Sequence, residues 1–198
     1  MIVDNFELIK SLMHFESDGD FYLLQILQRR KENPEMESAK CYVVKTYYIR
    51  SVDHLRRLEN EIREFSRMYS ARAYISPSAK NWKNVSKLVV KKSLDYIFEG
   101  KETLMDKVVE SCAAESIPKN KLWVIDIDTT DEGAISRIME GVERCESGYG
   151  INIKAVVPTL NGVHLITHPF NVKQIEPLMC DYDFKVEKNR FTLLYYGD

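Results

Sequence analysis

A chain of 198 residues with a formal net charge of −2, of which 44% are hydrophobic and 29% charged, fits a folded globular domain and excludes a disordered chain. The charge balance excludes a chain-wide nucleic-acid coat, although 28 lysines and arginines are enough for a local basic groove. No apolar run approaches the roughly 20 residues of a membrane span, the first residues do not read as a signal peptide, and the four cysteines form no CxxC pair, so reduced thiols in the cytoplasm and no membrane partner are expected.

The stretches FYLLQILQRR (21–30) and KCYVVKTYYIRS (40–51) are rich in aromatic and β-branched residues and predict two strands, joined by the polar connection KENPEMESA with its Pro34. The segment SVDHLRRLENEIREFSRMYS then sets Leu55, Leu58, Ile62, Phe65 and Met68 at helical steps, with Ser51 as N-cap and Asp53 in the first turn. A short strand in ARAYISPS, stopped by Pro77, precedes an amphipathic helix in NWKNVSKLVVKKSLDYIFEG with Gly100 as its C-cap. KETLMDKVVESCAAE continues helically and IPKN breaks the chain.

KLWVIDIDTT reads as a buried strand, followed by a helix from Thr130 to Ser147. INIKAVVPTLNG and VHLITHPF predict a strand pair joined across Asn161-Gly162. NVKQIEPLM reads as a short helix and YDFKVEKNRFTLLYYG as one or two closing strands. Strands and helices mix throughout and hairpins are present, so an α/β (α+β) domain with a mixed or antiparallel sheet is expected rather than a doubly wound one. It is read as one compact domain over 1–198, with 1–50 a less regular N-terminal subdomain.

Chemistry concentrates at the end of the KLWVIDIDTT strand. Alternation puts Asp126 and Asp128 on one face with Leu122 and Val124, while Trp123, Ile125 and Ile127 take the other. Two carboxylates that close repel unless something positive lies between them. One reading makes Asp128 or Thr130 the cap of the next helix. The other makes the pair hard oxygen ligands for Mg²⁺ or Mn²⁺, whose remaining ligands are water and phosphate.

His164 and His168 stand four apart, but their neighbours favour a strand, on which that spacing is roughly 13 Å and excludes one shared ion. His164 follows a turn glycine closely and is read alone, as a phosphate donor or proton shuttle in a cleft, or as a satisfied buried histidine. Asp181, Asp183 and Glu187 share a strand face, which suits a third carboxylate or a solvated surface. Arg72, Lys80, Lys83, Lys87, Lys91 and Lys92 lie beside Tyr74 and Trp82, as a phosphate-tracking surface with a stacking ring or as the wet face of a helix.

Taken in order, WVIDID, TLNGVH and an acidic strand leading to a Thr-bearing terminal strand resemble the archaeo-eukaryotic primase-polymerase superfamily, in its small phage and bacterial form, over about residues 70–198. The resemblance implies an RRM-like palm and a divalent-metal-dependent nucleotidyltransferase that adds nucleotides to a nucleic-acid 3′ hydroxyl. By it, Asp126 and Asp128 hold Mg²⁺ or Mn²⁺. His164, with Asn161 and Gly162 in the turn before it, binds the nucleotide, and Asp183 is the nearest match to the third carboxylate. Implied partners are NTP or dNTP and single-stranded or primer-template nucleic acid, met by Arg72, Lys80 and Trp82, with a helicase or other replication protein in trans. Two other readings stay open. DIDTT also matches the Asp-x-Asp-x-Thr of haloacid-dehalogenase-type phosphatases, with Asp126 as nucleophile and Asp128 as acid/base. A non-catalytic nucleic-acid-binding module on a degenerate palm is the third.

Overall fold

The computed structural model describes residues 2–35 and 41–197. In chain order the first half runs β1 (Val3–Asp4), α1 (Phe6–Leu12), β2 (Asp20–Arg29), β3 (Cys41–Ile49), α2 (Val52–Met68), β4 (Arg72–Ile75), β5 (Lys80–Asn81), α3 (Trp82–Phe98) and, after a 3₁₀ turn at Glu102–Lys107, α4 (Val108–Glu115). The second half runs β6 (Trp123–Ile127), α5 (Glu132–Arg144), β7 (Ile153–Pro158), β8 (Val163–Thr167), a 3₁₀ turn at Val172–Gln174, α6 (Glu176–Asp181), β9 (Phe184–Glu187) and β10 (Thr192–Tyr196). The fold is α+β with two antiparallel sheets. Among the described residues, no helix is long and apolar enough to cross a membrane.

The larger sheet has the order β1-β10-β4-β2-β3, with β5 also paired to β2. The expected strands at 21–30 and 40–51 are present and pair with each other. β2 also pairs with β4 and β1 with β10, so the first fifty residues supply both edges of this sheet and the strand inside one of them. The polar connection between β2 and β3 is described only as far as Glu35. α2 begins where the sequence places it, with the Ser51 hydroxyl accepting from the His54 N–H at 3.0 Å. Its Leu55 and Ile62 are fully buried against the sheet, each contributing about 1.5–3 kcal/mol of transfer free energy. Gly100 follows α3 at φ +66, the left-handed conformation expected just beyond a helix end.

The smaller sheet has the order β7-β8-β6-β9, all antiparallel. Its chain order is β-α-β-β-α-β, the split βαβ topology of ferredoxin-like and RRM-type folds. Trp123, Ile125 and Ile127 face one side, where they pack with Leu165, Phe184 and the inward stripe of α5, Ile138 and Val142. Leu122 and Val124 face the other side and join Leu24, Ile26, Ala73, Ile75 and Leu194 of the larger sheet in one core. The closing stretch supplies two strands, as the sequence allows, but they serve different sheets. β9 edges the smaller one and β10 crosses into the larger, with Arg190 at the crossing.

Two residues expected on a basic, base-stacking surface point inward instead. Lys80 sits on β5 opposite Phe21 and is 2% exposed. Its ammonium donates to the carbonyls of Ala114 and Ser116 at 3.1 and 2.7 Å, which ties α4 and its exit to the sheet. Trp82 is stacked on Phe21 at 4.5 Å and tilted against Tyr48 at 4.9 Å, so its faces are used in packing. Lys80 is thus not available to a nucleic-acid strand, whereas Trp82 is half-buried.

Burial lowers the Lys80 pKa to about 8 from its ordinary 10.5. Between those values the unfolded chain keeps a proton that the folded chain releases, so this group makes stability rise with pH. Urea unfolding at pH 8 and pH 10 is expected to show the wild type gaining on Lys80→Met by on the order of 2 kcal/mol. Parallel pH profiles would contradict the burial of this ammonium.

Candidate functional site

The second aspartate's helix-cap reading is settled by the geometry of α5. Its N-cap is Asp131, whose carboxylate accepts from the Gly133 N–H at 2.9 Å. Neither Asp128 nor Thr130 is needed there. Asp128 is exposed just beyond β6 and has no ion-pair partner among the described residues.

Asp126 is nearly buried, with a side-chain exposure of 13%. The β6–β8 register sets it directly opposite His164, and opposite residues of an antiparallel pair share a face. The His164 Nε2 lies 3.2 Å from Asp126 Oδ1, and Arg190 Nη1 lies 3.1 Å from Oδ2. A positive partner for Asp126 is thus supplied from another segment by Arg190. Arg190 also holds Glu187 at 2.7 Å. His164 is fixed from behind, its Nδ1 3.0 Å from the Thr192 hydroxyl, with both side chains buried. The Asp126 pKa is held below its ordinary 3.8, first by the His164 hydrogen bond, against the opposing effect of burial, and then by the charges of His164, Arg190 and Lys185. The stabilisation from this pairing is therefore present at neutral pH and is lost only as pH falls through the lowered value.

The turn before His164 is pressed against the loop that carries Asp128. It spans residues 159–162, closed by the Thr159 N–H donating to the Gly162 carbonyl at 2.9 Å. It is wider than a two-residue Asn-Gly turn, and Gly162 does not adopt positive φ. Glycine is required there for proximity. A Cβ at Gly162 would lie 2.0 Å from the Ile127 carbonyl oxygen and within 2.8 Å of the Thr129 backbone.

These groups open into a cleft of about 420 Å³ between the two sheets. Asp126, Asp128, Asn161, His164 and Arg190 form one wall, and Arg29, Arg72 and Tyr74 from the larger sheet, with Lys31 from the turn after β2, face them. Four basic side chains and two carboxylates line it, and Glu32 and Glu187 compensate Arg29, Arg72 and Arg190 from behind. Arg72 is anchored from behind by Glu32, which also lies 3.9 Å from Arg29. Among the described residues no cluster of three His, Cys, Asp or Glu is placed to hold a metal. Two carboxylates on one side of a strand end, one of them unpaired, fit Mg²⁺ or Mn²⁺ that completes its shell with water and ligand phosphate.

Of the residues singled out in the sequence, Asp126, Asp128, Asn161, His164 and Arg72 converge on this cleft, with Gly162 behind it. Asp183 does not line it. It is exposed ahead of β9, Asp181 is exposed at the end of α6, and Glu187 is engaged by Arg190. His168 lies at the far end of β8, stacked on Tyr149. Sequence reasoning missed Arg190, Thr192, Arg29 and Lys31. Arg190 sits in a polar KNR turn that reads as solvated surface, and only the crossing from β9 to β10 brings it to Asp126.

Comparison with protein-family models, with curated proteins and with solved structures finds no match to this chain.

Gly162→Ala is expected to cost about 2 kcal/mol or more in urea unfolding, because the clash is with backbone that cannot swing aside. Gly148→Ala, where an added Cβ meets nothing within 4 Å, is the control and should stay within about 0.5 kcal/mol of wild type. Equal, small effects would show that the turn is not locked against the Asp128 loop.

Proposed function

We propose that the cleft binds a nucleoside triphosphate with a divalent metal and transfers its nucleotidyl group to a nucleic-acid 3′ hydroxyl, as the primase-polymerase resemblance implies. The observation that carries this reading is the convergence of Asp126, Asp128 and His164 on the first and third strands of a β-α-β-β-α-β sheet, facing a basic wall. The two aspartates would hold Mg²⁺ or Mn²⁺, which supplies charge neutralisation at the phosphates.

The protein's own groups have separable tasks in this reading. His164 and Arg190 keep Asp126 ionised and fix its orientation. Asp128 keeps both oxygens open to the cleft. Both His164 ring nitrogens are engaged, Nε2 with Asp126 and Nδ1 with Thr192, so in this reading His164 serves the site by positioning Asp126. Arg29, Lys31 and Arg72 complement the remaining charge of the polyphosphate from the opposite wall.

A phosphatase reading of the Asp-x-Asp-x-Thr kind goes with a doubly wound parallel sheet, whereas β6 lies in an antiparallel one. The lack of a three-donor cluster among the described residues favours, as the second reading, nucleic-acid binding without catalysis. Primer extension separates the two. The wild type is expected to extend a labelled primer with Mn²⁺ or Mg²⁺. Asp126→Ala combined with Asp128→Ala should lower the rate at least about 10³-fold, as loss of charge-stabilising groups does. A wild type that binds nucleotide yet extends no primer or template would leave the non-catalytic reading in its place.

A further inference from the structure

A second and larger cavity, about 620 Å³, opens at the opposite end of the same inter-sheet seam. Lys121 and Leu122 line it where the chain enters β6, whereas Asp126 and Asp128 lie where the chain leaves it. At about 3.3 Å per extended residue the two openings are roughly 20 Å apart. The proposed chemistry at Asp126 makes no use of this space.

Its wall carries a flat, open aromatic surface. The Tyr149 ring lies on the His168 imidazole with centroids 4.0 Å apart and planes 13° from parallel, and Tyr149 is 50% exposed. The surface is held in place from both sides. The Tyr149 N–H donates to the Ser147 hydroxyl at 3.1 Å, that hydroxyl donates to the Tyr149 carbonyl at 2.8 Å, and the His168 N–H donates to the Asn152 carbonyl at 2.8 Å. Burial, and then the charge of Lys154, hold the His168 pKa below its ordinary value, so the imidazole stacks as a neutral ring at neutral pH.

The charges around this surface do not cancel. Asp20 is saturated by the Glu16 and Ser17 N–H groups, the Ser17 hydroxyl and the Asn81 amide, and Glu16 is taken by Lys119 and Asn120. Lys121 and Lys154 line the cavity without an ion-pair partner among the described residues. Three lysines against Glu16 and Asp20 leave the cavity with a net positive lining, and a planar exposed ring beside such a lining is the chemistry that takes a flat heterocycle bearing an anion.

We infer that this cavity binds a nucleotide unit, its base stacked on the open face of Tyr149 and its phosphate neutralised by Lys121 and Lys154. The unit is either a free mononucleotide or one residue of a single strand. Binding here stands on the cavity's own residues and does not require catalysis at Asp126.

Fluorescence anisotropy of the full chain in EDTA, with 5′-fluorescein-labelled dT12 and separately with a fluorescent ATP analogue, tests it. Tyr149→Ala, and Lys121→Ala with Lys154→Ala, are each expected to weaken binding about tenfold. The lysine pair should also make the salt dependence of dT12 binding shallower by about 0.7. Tyr149→Phe keeps the ring and should retain wild-type affinity, which separates stacking from a structural effect. Both losses of affinity should also appear in an Asp128→Asn background, so failure of the catalytic reading is distinguishable. A response of dT12 alone assigns a strand, and a response of the ATP analogue assigns a mononucleotide. Binding unaffected by Tyr149→Ala and by the lysine pair, or no binding of either probe, overturns it.

Discussion

One carboxylate organises the centre of this protein. Asp126 sits nearly buried at the edge of the shared core, where an unpaired charge would be costly. Its two oxygens are matched by His164 from β8 and by Arg190 from the crossing between β9 and β10. Thr192, the first residue of β10, holds His164 from behind. Arg190, and the Thr192 that backs His164, thus come from the segment that leaves the smaller sheet and enters the larger one. Chain crossing and charge compensation occur at the same place.

That arrangement explains why the cleft lies where it does. The two sheets share an apolar core through Leu122, Val124 and Ile166 on one side and Ile26, Ile75 and Leu194 on the other. Where the apolar residues of β6 give way to Asp126, the sheets no longer exclude water, and the seam opens between a carboxylate wall and a basic wall. At the other end, where β6 begins, the seam opens again onto the Tyr149–His168 stack. The same short strand sets the spacing of both openings.

Much of this was legible in the sequence because it follows from local periodicity. Alternation placed Asp126 and Asp128 with Leu122 and Val124, and the helical steps of α2, with Ser51 as its cap, are as spaced. Signals that depend on tertiary placement were not legible. Lys80 looks like the first of several surface lysines, but it precedes the helix on β5, whose pairing with Phe21 turns it inward. Gly162 reads as a turn former, whereas it is needed where the turn meets the Ile127 carbonyl. The acidic alternation of 181–187 suggested a third ligand at Asp183, yet Glu187 is the member drawn toward the site, as a partner for Arg190. Arg190 carries no local mark of its role, since its partner lies on a strand more than sixty residues earlier.

The central claim is that Asp126 and Asp128 together hold a metal against a nucleotide's phosphates beside His164. Diffraction from crystals soaked with Mn²⁺ and a non-hydrolysable nucleoside triphosphate tests it most directly. The account predicts an anomalous Mn²⁺ peak bound by both carboxylates, with phosphate oxygens completing the ion's shell. A nucleotide seated in the cleft with no Mn²⁺ at the two aspartates, or one whose phosphates lie away from the ion, would contradict it.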